Sequence, residues 1–351
     1  MNNDLLYKEL EDWYEMNHRI LPWRDTTDPY KIWISEIILQ QTRVAQGMEY
    51  YHRLVTRFPD IQSLADAQED EVLLYWQGLG YYSRARNMHK AAQLMKNHEI
   101  FHLSNVEYLK LKDEEIFSAL RSMPGVGDYT AGAIASFAFN LPYPALDGNV
   151  YRVLSRLYDC EIAFDTTQGK KHFRKLAEEL LDRERPRLFN SAIMELGALV
   201  CMPTKPMCDE CPLRTWCKAL ANNTVELLPV RKPRPKVRDR YLEYTIYITP
   251  ERTTLIHQRK GNDIWKHLWE FVCAERTGEE AIRRKAKGEN ILEFTHVLSH
   301  QKLHARFVIK NVSELPEIPD TLVVSLSELD NYAFSRLTLN AIEKLFLELA
   351  N

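Results

Sequence analysis

The chain has 351 residues, a formal net charge of −3 and 27% charged residues. Its length predicts two or three domains, with enough apolar chain to bury cores without staples. The charge excludes a uniformly basic nucleic-acid binder, so any DNA-facing surface is a local patch on an acidic remainder.

The N-terminal stretch MNNDLLYKELEDWYEMNHRI is mixed in charge and lacks the apolar core of a secretory leader. No apolar run approaches the ~18 residues of a membrane span. The expectation is a cytoplasmic, nucleoid-associated protein with no membrane partner. Residues 1 to about 225 read as helical. DPYKIWISEIILQQTRVAQGMEYYHRLVTRF carries apolar residues at helical spacing, and Asp28-Pro29 is a helix-start signal. Within it, Glu36, Gln40 and Arg43 form a polar stripe at i, i+4, i+7, opposite Trp33, Ile34, Ile37 and Ile38. Alone, Glu36 reads as a solvated helical glutamate. SLADAQEDEVLLYWQGLG opens on a capping Ser63 and stops at Gly78 and Gly80. SRARNMHKAAQLMKNH and KDEEIFSALRSM are further helices.

Residues 120–133, LRSMPGVGDYTAGA, place a turn at Pro124–Gly127 between two helices. Gly125 and Gly127 let the backbone approach a ligand, and the next helix start adds partial positive charge. This makes a phosphate site without a basic side chain, or an ordinary tight helix-helix turn. DYTAGAIASFAF, GNVYRVLSRLY, TQGKKHFRKLAEELL and PRLFNSAIMELGALVC continue the helical half. Asp147, just before GNVYRV, reads by itself as an N-cap.

Four of the six cysteines follow in CMPTKPMCDECPLRTWC, spaced C-x6-C-x2-C-x5-C. Cys201, Cys208, Cys211 and Cys217 supply four thiolates, a set compatible with zinc or a [4Fe–4S] cluster. A single C-x2-C knuckle with gaps of six and five favours iron–sulfur over zinc. In a reducing compartment a metal site is expected ahead of disulfides. LPVRKPRPKVRDR then reads as an extended basic linker, either a solvated tether or one that also touches phosphate. From about 241, YLEYTIYIT, TTLIHQR, LWEFVCAE, LHARFVIK and LVVSL read as strands, and NAIEKLFLELA as a closing helix.

MPGVGDYTAGA, LDGNVYRV and the cysteine spacing occur in the order found in the endonuclease III superfamily of DNA glycosylases, which the chain resembles. LPWR at 21–24, WISEIILQQTRV at 33–44 and GLGYYSRARN at 78–87 make it more similar still to the adenine-DNA glycosylases (MutY type). The resemblance covers essentially the whole chain. It implies an all-α helix-hairpin-helix glycosylase domain (a six-helix barrel with an iron–sulfur loop) over 1–225. A basic linker over 226–240 and an α+β Nudix-like domain over 241–351 follow. It implies a [4Fe–4S] cofactor on the four cysteines, a monomer, and duplex DNA with 8-oxoguanine:adenine or G:A mispairs as partner.

By the same resemblance Glu36 is the acid that protonates the departing adenine, and Asp147 stabilises the sugar cation. Tyr129 and Asn149 match residues beside that carboxylate. Arg24 lines the adenine pocket, Gln41 and Tyr81 wedge into the duplex, and Ser299 with His300 checks the opposite base. Strand-cutting relatives place a lysine where Tyr129 stands, so the tyrosine implies base removal without strand cleavage. GEEAIRRKAKGENILEF lacks the clustered glutamates of a working Nudix hydrolase, and Leu298 stands where the family's serine–histidine loop is usually preceded by Phe. His296, His300 and His304 are a poor helical metal site, because their surroundings read as strand and loop. An oxidised-pyrimidine glycosylase/lyase and a non-catalytic redox-sensing iron–sulfur protein are the competing readings.

Overall fold

The structure, a computed structural model, describes residues 3–102, 111–233, 237–276 and 290–350. Its contacts fall into two units: Met1–Ala65 with Lys90–Pro233, and Asp66–His89 with Arg234–Asn351. Among the described residues, no helix is long and apolar enough to cross a membrane.

The chain begins with α1 (Asn3–Asn17), α2 (Pro29–Leu39), α3 (Val44–Arg57), α4 (Ile61–Asp66), α5 (Glu69–Trp76) and α6 (Ser83–Met95). It continues with α7 (Asp113–Ser122), α8 (Asp128–Phe139), α9 (Gly148–Tyr158), α10 (Thr167–Leu180), α11 (Pro186–Leu199) and α12 (Lys218–Ala221). Asp28 caps α2 as expected: its carboxylate accepts from the Tyr30 and Lys31 amides, and Pro29 takes the first turn.

Two helical expectations need correction. The long segment after Asp28 is two helices, because α2 ends at Leu39 and Gln41 turns the chain in the left-handed region at φ 60°. Arg43 therefore leaves the stripe of Glu36 and sits at the start of α3. The physical reason is burial: α2 is buried on every side from Ile32 to Ile38, whereas α3 keeps an exposed face. Ser63 does not start the helix holding Val72 and Trp76. Its amide donates to Asp60 Oδ1 at 2.8 Å, so Asp60 caps the short α4. The chain restarts at α5, where Glu69, Asp70 and Glu71 suit a helix N-terminus.

In the first unit α8 packs on α2, α7 and α11. Ala131, Gly132, Ala133, Ala135, Ser136 and Ala138 are small, so neighbouring backbones come close. Asn190 of α11 fixes the approach to α9. Its amide donates to Ser136 Oγ (2.8 Å) and Tyr143 O (2.9 Å) and accepts from the Ala145 amide (3.0 Å). Buried in α11, Gly197 has the same function, because a Cβ there would stand 2.6 Å from Asn149 Cβ. A second core layer joins α1, α9, α10 and α11 through Leu10, Leu154, Phe173 and Leu196, with Cys201, Cys211 and Trp216 against it.

The expected tether is, in its described part, docked on this unit. Val230 O accepts from the Phe164 amide, Lys232 N donates to Asp165 Oδ1 at 3.0 Å, and Arg231 stands over the Phe164 ring. Leu228 anchors it, buried with Ala219 and Val225. Arg234, Pro235 and Lys236 lie outside the described residues, and Arg238 already opens a strand.

The second unit holds β1 (Arg238–Ile248), β2 (Thr253–Gln258), β3 (Trp269–Arg276), β4 (Asn290–Val297), β5 (Gln301–Asn311) and β6 (Thr321–Ser325), with a closing helix α13 (Arg336–Ala350). They form one six-stranded sheet in the order β4-β5-β1-β3-β2-β6. β1 and β5 run parallel, Arg238 against Gln301 through Ile248 against Asn311; the other pairs are antiparallel. Leu242, Tyr244, Ile246 and Ile248 alternate onto the core face of β1. β4 is absent from the sequence expectation; as an edge strand it buries only Leu292. His296 and His304 lie on β4 and β5, with His300 in the turn between them. Most of the segment read as lacking the Nudix glutamates, residues 278–289, lies outside the described residues.

Gly197 yields a stability prediction. Gly197→Ala is expected to lower stability by roughly 1–3 kcal/mol through overpacking against Asn149. Gly127→Ala, whose Cβ meets nothing within 4 Å, is expected to shift stability by less than about 1 kcal/mol. Thermal or denaturant unfolding of the two variants beside wild type measures this, and equal stability of the pair would refute it.

Candidate active site

A cavity of about 540 Å³ opens in the first unit between α2, the start of α8 and the start of α9. Glu36 and Asp147 both line it, with Arg24, Gln40, Tyr129 and Asn149. Of the residues expected from the sequence in this unit, Gln41 and Gly127 also line it, whereas Gly125 and the four cysteines do not. Gln41 is exposed on the cavity rim.

Glu36 is 4% exposed, which excludes the solvated reading. Burial pushes its carboxyl up to about 7, the Tyr129 hydrogen bond pulls it down, and the charge of Asp147 pushes it up again. Tyr129, in the first turn of α8, donates its hydroxyl to Glu36 Oε2 at 2.6 Å. The tyrosine thus bonds to Glu36, while the Asp147 charge acts on it only through space. Next along α8, Thr130 Oγ1 accepts from the Gln40 amide at 3.1 Å and ties the end of α2 to this helix.

Asp147 does cap α9: its Oδ1 accepts from the Val150 amide at 2.8 Å. Its Oδ2 accepts from Asn149 Nδ2 at 2.8 Å. Burial still raises this carboxyl above its usual range, against those hydrogen bonds and the charge of Arg152. Arg152 supports the arrangement from beneath. It donates to Asn149 Oδ1 (2.8 Å), Gly197 O (2.6 Å) and Cys201 O (2.6 Å).

Arg24 donates to Tyr14 Oη at 3.2 Å and pairs with Glu195 Oε2 at 2.9 Å. Glu195 is fully buried on α11 and also takes two side-chain hydrogen bonds from Arg19. Burial pushes Glu195 up, but the Arg19 hydrogen bond and the Arg24 charge outweigh it and hold it ionised. The sequence reading misses Glu195, Arg19 and Arg152. For Glu195 and Arg152 the signal was a charge set inside an apolar helical run, as in AIMELGAL.

At the hairpin, Gly125 has φ 80°, which only glycine adopts at ease. Gly127, before α8, has ordinary extended backbone and open space where a side chain would go. Among the described residues, nothing packs close enough to require a glycine at 127. Beside it, Asp128 is bridged by Arg121 and Arg174.

The four cysteines are half-buried and none of them is in a disulfide. Among the described residues, no group of three or more His, Cys, Asp or Glu side chains stands in a metal-holding arrangement. The donor chemistry nevertheless fits a metal. Burial pushes Cys211 up to about 12, and Cys201, Cys217 and Cys208 each push it further in that direction. Four crowded sulfurs of this kind gain most when a metal takes them as thiolates. Buried Arg156 of α9 holds the loop, donating to Cys201 Sγ (3.3 Å), Met202 O (2.8 Å) and Val225 O (3.0 Å). Of the cations in this loop, Lys205 is exposed, Arg214 pairs with Asp209, and Lys218 stands over the Tyr158 ring.

Tyr81, Ser299 and His300 lie in the second unit, around a separate cavity of about 520 Å³. Tyr81 is half exposed with a left-handed φ of 46°. Ser299 Oγ and His300 Nδ1 are 3.2 Å apart in the turn between β4 and β5.

The family described as HhH-GPD superfamily base excision DNA repair protein matches residues 34–183, and that described as NUDIX domain matches residues 243–344. The adenine DNA glycosylase of Buchnera aphidicola subsp. Baizongia pistaciae (strain Bp) is 35% identical over 87% of this chain and 85% of that protein. That of Mus musculus is 40% identical over 60% of this chain and 41% of that protein. A solved thermostable thymine-DNA glycosylase aligns with a TM-score of 0.54 at 24% identity, over 63% of this chain and 97% of that one, and shares the fold. Spanning both matched regions at this level of identity, the chain belongs to the adenine DNA glycosylase family.

Proposed function

We propose that the chain hydrolyses the N-glycosidic bond of adenine mispaired with 8-oxoguanine or guanine in duplex DNA, without cutting the strand, as a monomer. The observation that carries this is Glu36: a fully buried carboxyl, half protonated near neutral pH, sharing a cavity with a second carboxylate. Adenine leaves poorly as an anion, so a ring nitrogen must gain a proton as the bond breaks. Glu36 supplies that proton and the bonding pair departs with the base. The sugar becomes oxocarbenium-like, and ionised Asp147 stabilises it across the cavity until a water adds to the sugar carbon and gives up a proton, the two-carboxylate logic of glycosidases. The base must first leave the stack, since neither carboxyl reaches it inside a duplex. Gln41 and Tyr81 fill the gap, and the Gly125–Gly127 turn takes a backbone phosphate. No lysine lines the cavity, so no Schiff base forms there and strand cleavage is not expected. Ser299 and His300 read the base opposite the adenine.

Cys201, Cys208, Cys211 and Cys217 hold a [4Fe–4S] cluster. Its role is to fold the loop carrying Lys205, Arg214 and Lys218 for contact with the DNA backbone, and no step of the hydrolysis calls on it.

The carboxylates are tested with a duplex bearing 8-oxoguanine opposite adenine. Glu36→Gln is expected to slow single-turnover adenine release by about 10²- to 10⁴-fold, and Asp147→Asn to slow it as well. Undiminished release in either variant removes that carboxylate from its role. The rate also falls on the alkaline side. Glu36 acts protonated, and with its carboxyl near 7 the active fraction declines as pH rises above that value. Tyr129→Phe removes the hydroxyl that favours the ionised form, so the alkaline limb moves to higher pH. A limb that stays in place or moves down would contradict the Glu36 assignment.

For the cluster, purified protein is expected to be brown, with about four iron and four acid-labile sulfide per chain. Stoichiometric zinc without iron would overturn it.

A further inference from the structure

The cavity of the second unit has a wall that the reading above leaves without a function. Trp265 lines it together with the turn that carries Leu298, Ser299 and His300, and its ring meets that of His296 edge to face, 5.7 Å between centroids. Its backbone is left-handed at φ 59°, a conformation that a bulky residue rarely adopts, and His267 two residues on is also left-handed at φ 66°. Such backbone persists only where its surroundings hold it. Here they hold it from both ends. Arg259 Nε donates to Ile264 O at 3.1 Å, Arg86 Nη1 donates to Lys266 O at 2.7 Å, and the Leu268 amide donates to Trp265 O at 3.0 Å. Asp263 is clamped by Arg240 through two bonds (2.9 and 2.7 Å) and by Arg259 at 3.1 Å.

Arg240 links the two walls. Besides Asp263 and Glu275, it donates to Gln301 Oε1 at 3.1 Å, next to His300 at the start of β5. One buried guanidinium therefore fixes the Trp265 loop relative to the Ser299–His300 turn. The same pairing neutralises Asp263, the acidic residue in a lining that also has Arg86 and Arg336. The result is a half-buried indole, on a backbone held at both ends, that shares a cavity with a hydroxyl and an imidazole and with basic residues. An aromatic face beside polar groups of fixed position suits a flat heteroaromatic ring with a hydrogen-bonding edge, as a nucleobase has.

We propose that Trp265 is a specificity-determining residue: its indole is the stacking face for the base opposite the target adenine, and the Arg240–Asp263–Arg259 network fixes its position. The inference rests on the base-excision reading above and adds the residue that grips the partner base through its π-face. Leu298 cannot supply that face, and Tyr81 serves the cavity from another segment.

The test uses two duplexes carrying a non-cleavable 2′-fluoro-deoxyadenosine, one opposite 8-oxoguanine and one opposite an abasic tetrahydrofuran. Full-length wild type, Trp265→Leu and Trp265→Phe are titrated against both. Leucine keeps an apolar side chain against the core but offers no π-face; phenylalanine restores one. Trp265→Leu is expected to lose roughly 5- to 150-fold more affinity for the 8-oxoguanine duplex than for the abasic duplex, and Trp265→Phe to recover most of that difference. Equal losses on both duplexes, or equal behaviour of the leucine and phenylalanine variants, overturn the stacking assignment alone. Wild type that releases no adenine from the matching cleavable duplex overturns the base-excision reading and this inference with it.

Discussion

A carboxyl moved out of water keeps its proton, and the first unit is arranged to move one there. Glu36 lies on a helix buried from Ile32 to Ile38 and is itself only 4% exposed, so its carboxyl is largely withdrawn from water. Desolvation pushes the group toward its neutral form. The Tyr129 hydroxyl opposes this by donating to Glu36, and the group comes to rest near 7. An acid is useful when it both holds and gives up its proton at the working pH, so the balance of these two opposing effects matters more than either one. That balance requires α2 and α8 in close contact. The small residues along α8 allow the approach, and the Gln40–Thr130 bond fixes it at the end of α2.

The division into a helical half and a strand-rich half is legible in the sequence because the apolar period changes from about three and a half to two near residue 240. The Asp28-Pro29 start is equally legible, since a cap is a local interaction. Ser63 is a failure of the same local logic: Asp60, three residues earlier, competes for the capping position and wins. β4 escapes notice because an edge strand buries one face only weakly. The environment of Glu36 is illegible for a deeper reason. Its burial depends on α8, more than ninety positions away along the chain, and the sequence of α2 alone is the same for a solvated glutamate as for a buried one. Glu195, Arg152 and Arg156 lie in apolar runs where a charge is conspicuous, but their partners come from other helices and loops.

Arg152 and Arg156 lie one turn apart on α9 and divide their donors between two sites. Arg152 reaches Asn149, which holds Asp147, and also Cys201 O. Arg156 reaches Cys201 Sγ, Met202 O and the chain at Val225 and Leu228. The helix that Asp147 caps is therefore the helix that organises the cysteine loop. A buried guanidinium demands many acceptors, and an irregular loop has carbonyls without ladder partners, so each satisfies the other. The coupling is mechanical: disorder in the loop would reach Asp147 through α9 and need not involve electron transfer.

Asp147 joins two roles usually weighed as alternatives. Capping α9 consumes one lone-pair direction of Oδ1, and Asn149 takes one from Oδ2. A carboxylate has about four such sites, so capping leaves acceptor capacity and the full negative charge facing the cavity. The bonds that cap the helix also fix the orientation of the carboxylate and favour its ionised form against the burial that raises it. A helix N-terminus thus provides what an electrostatic stabiliser of a sugar cation needs: a charge held in place before the reaction begins, so that no reorientation is needed as positive charge develops. In this fold the common structural role of the aspartate is the means by which the role proposed for it is served.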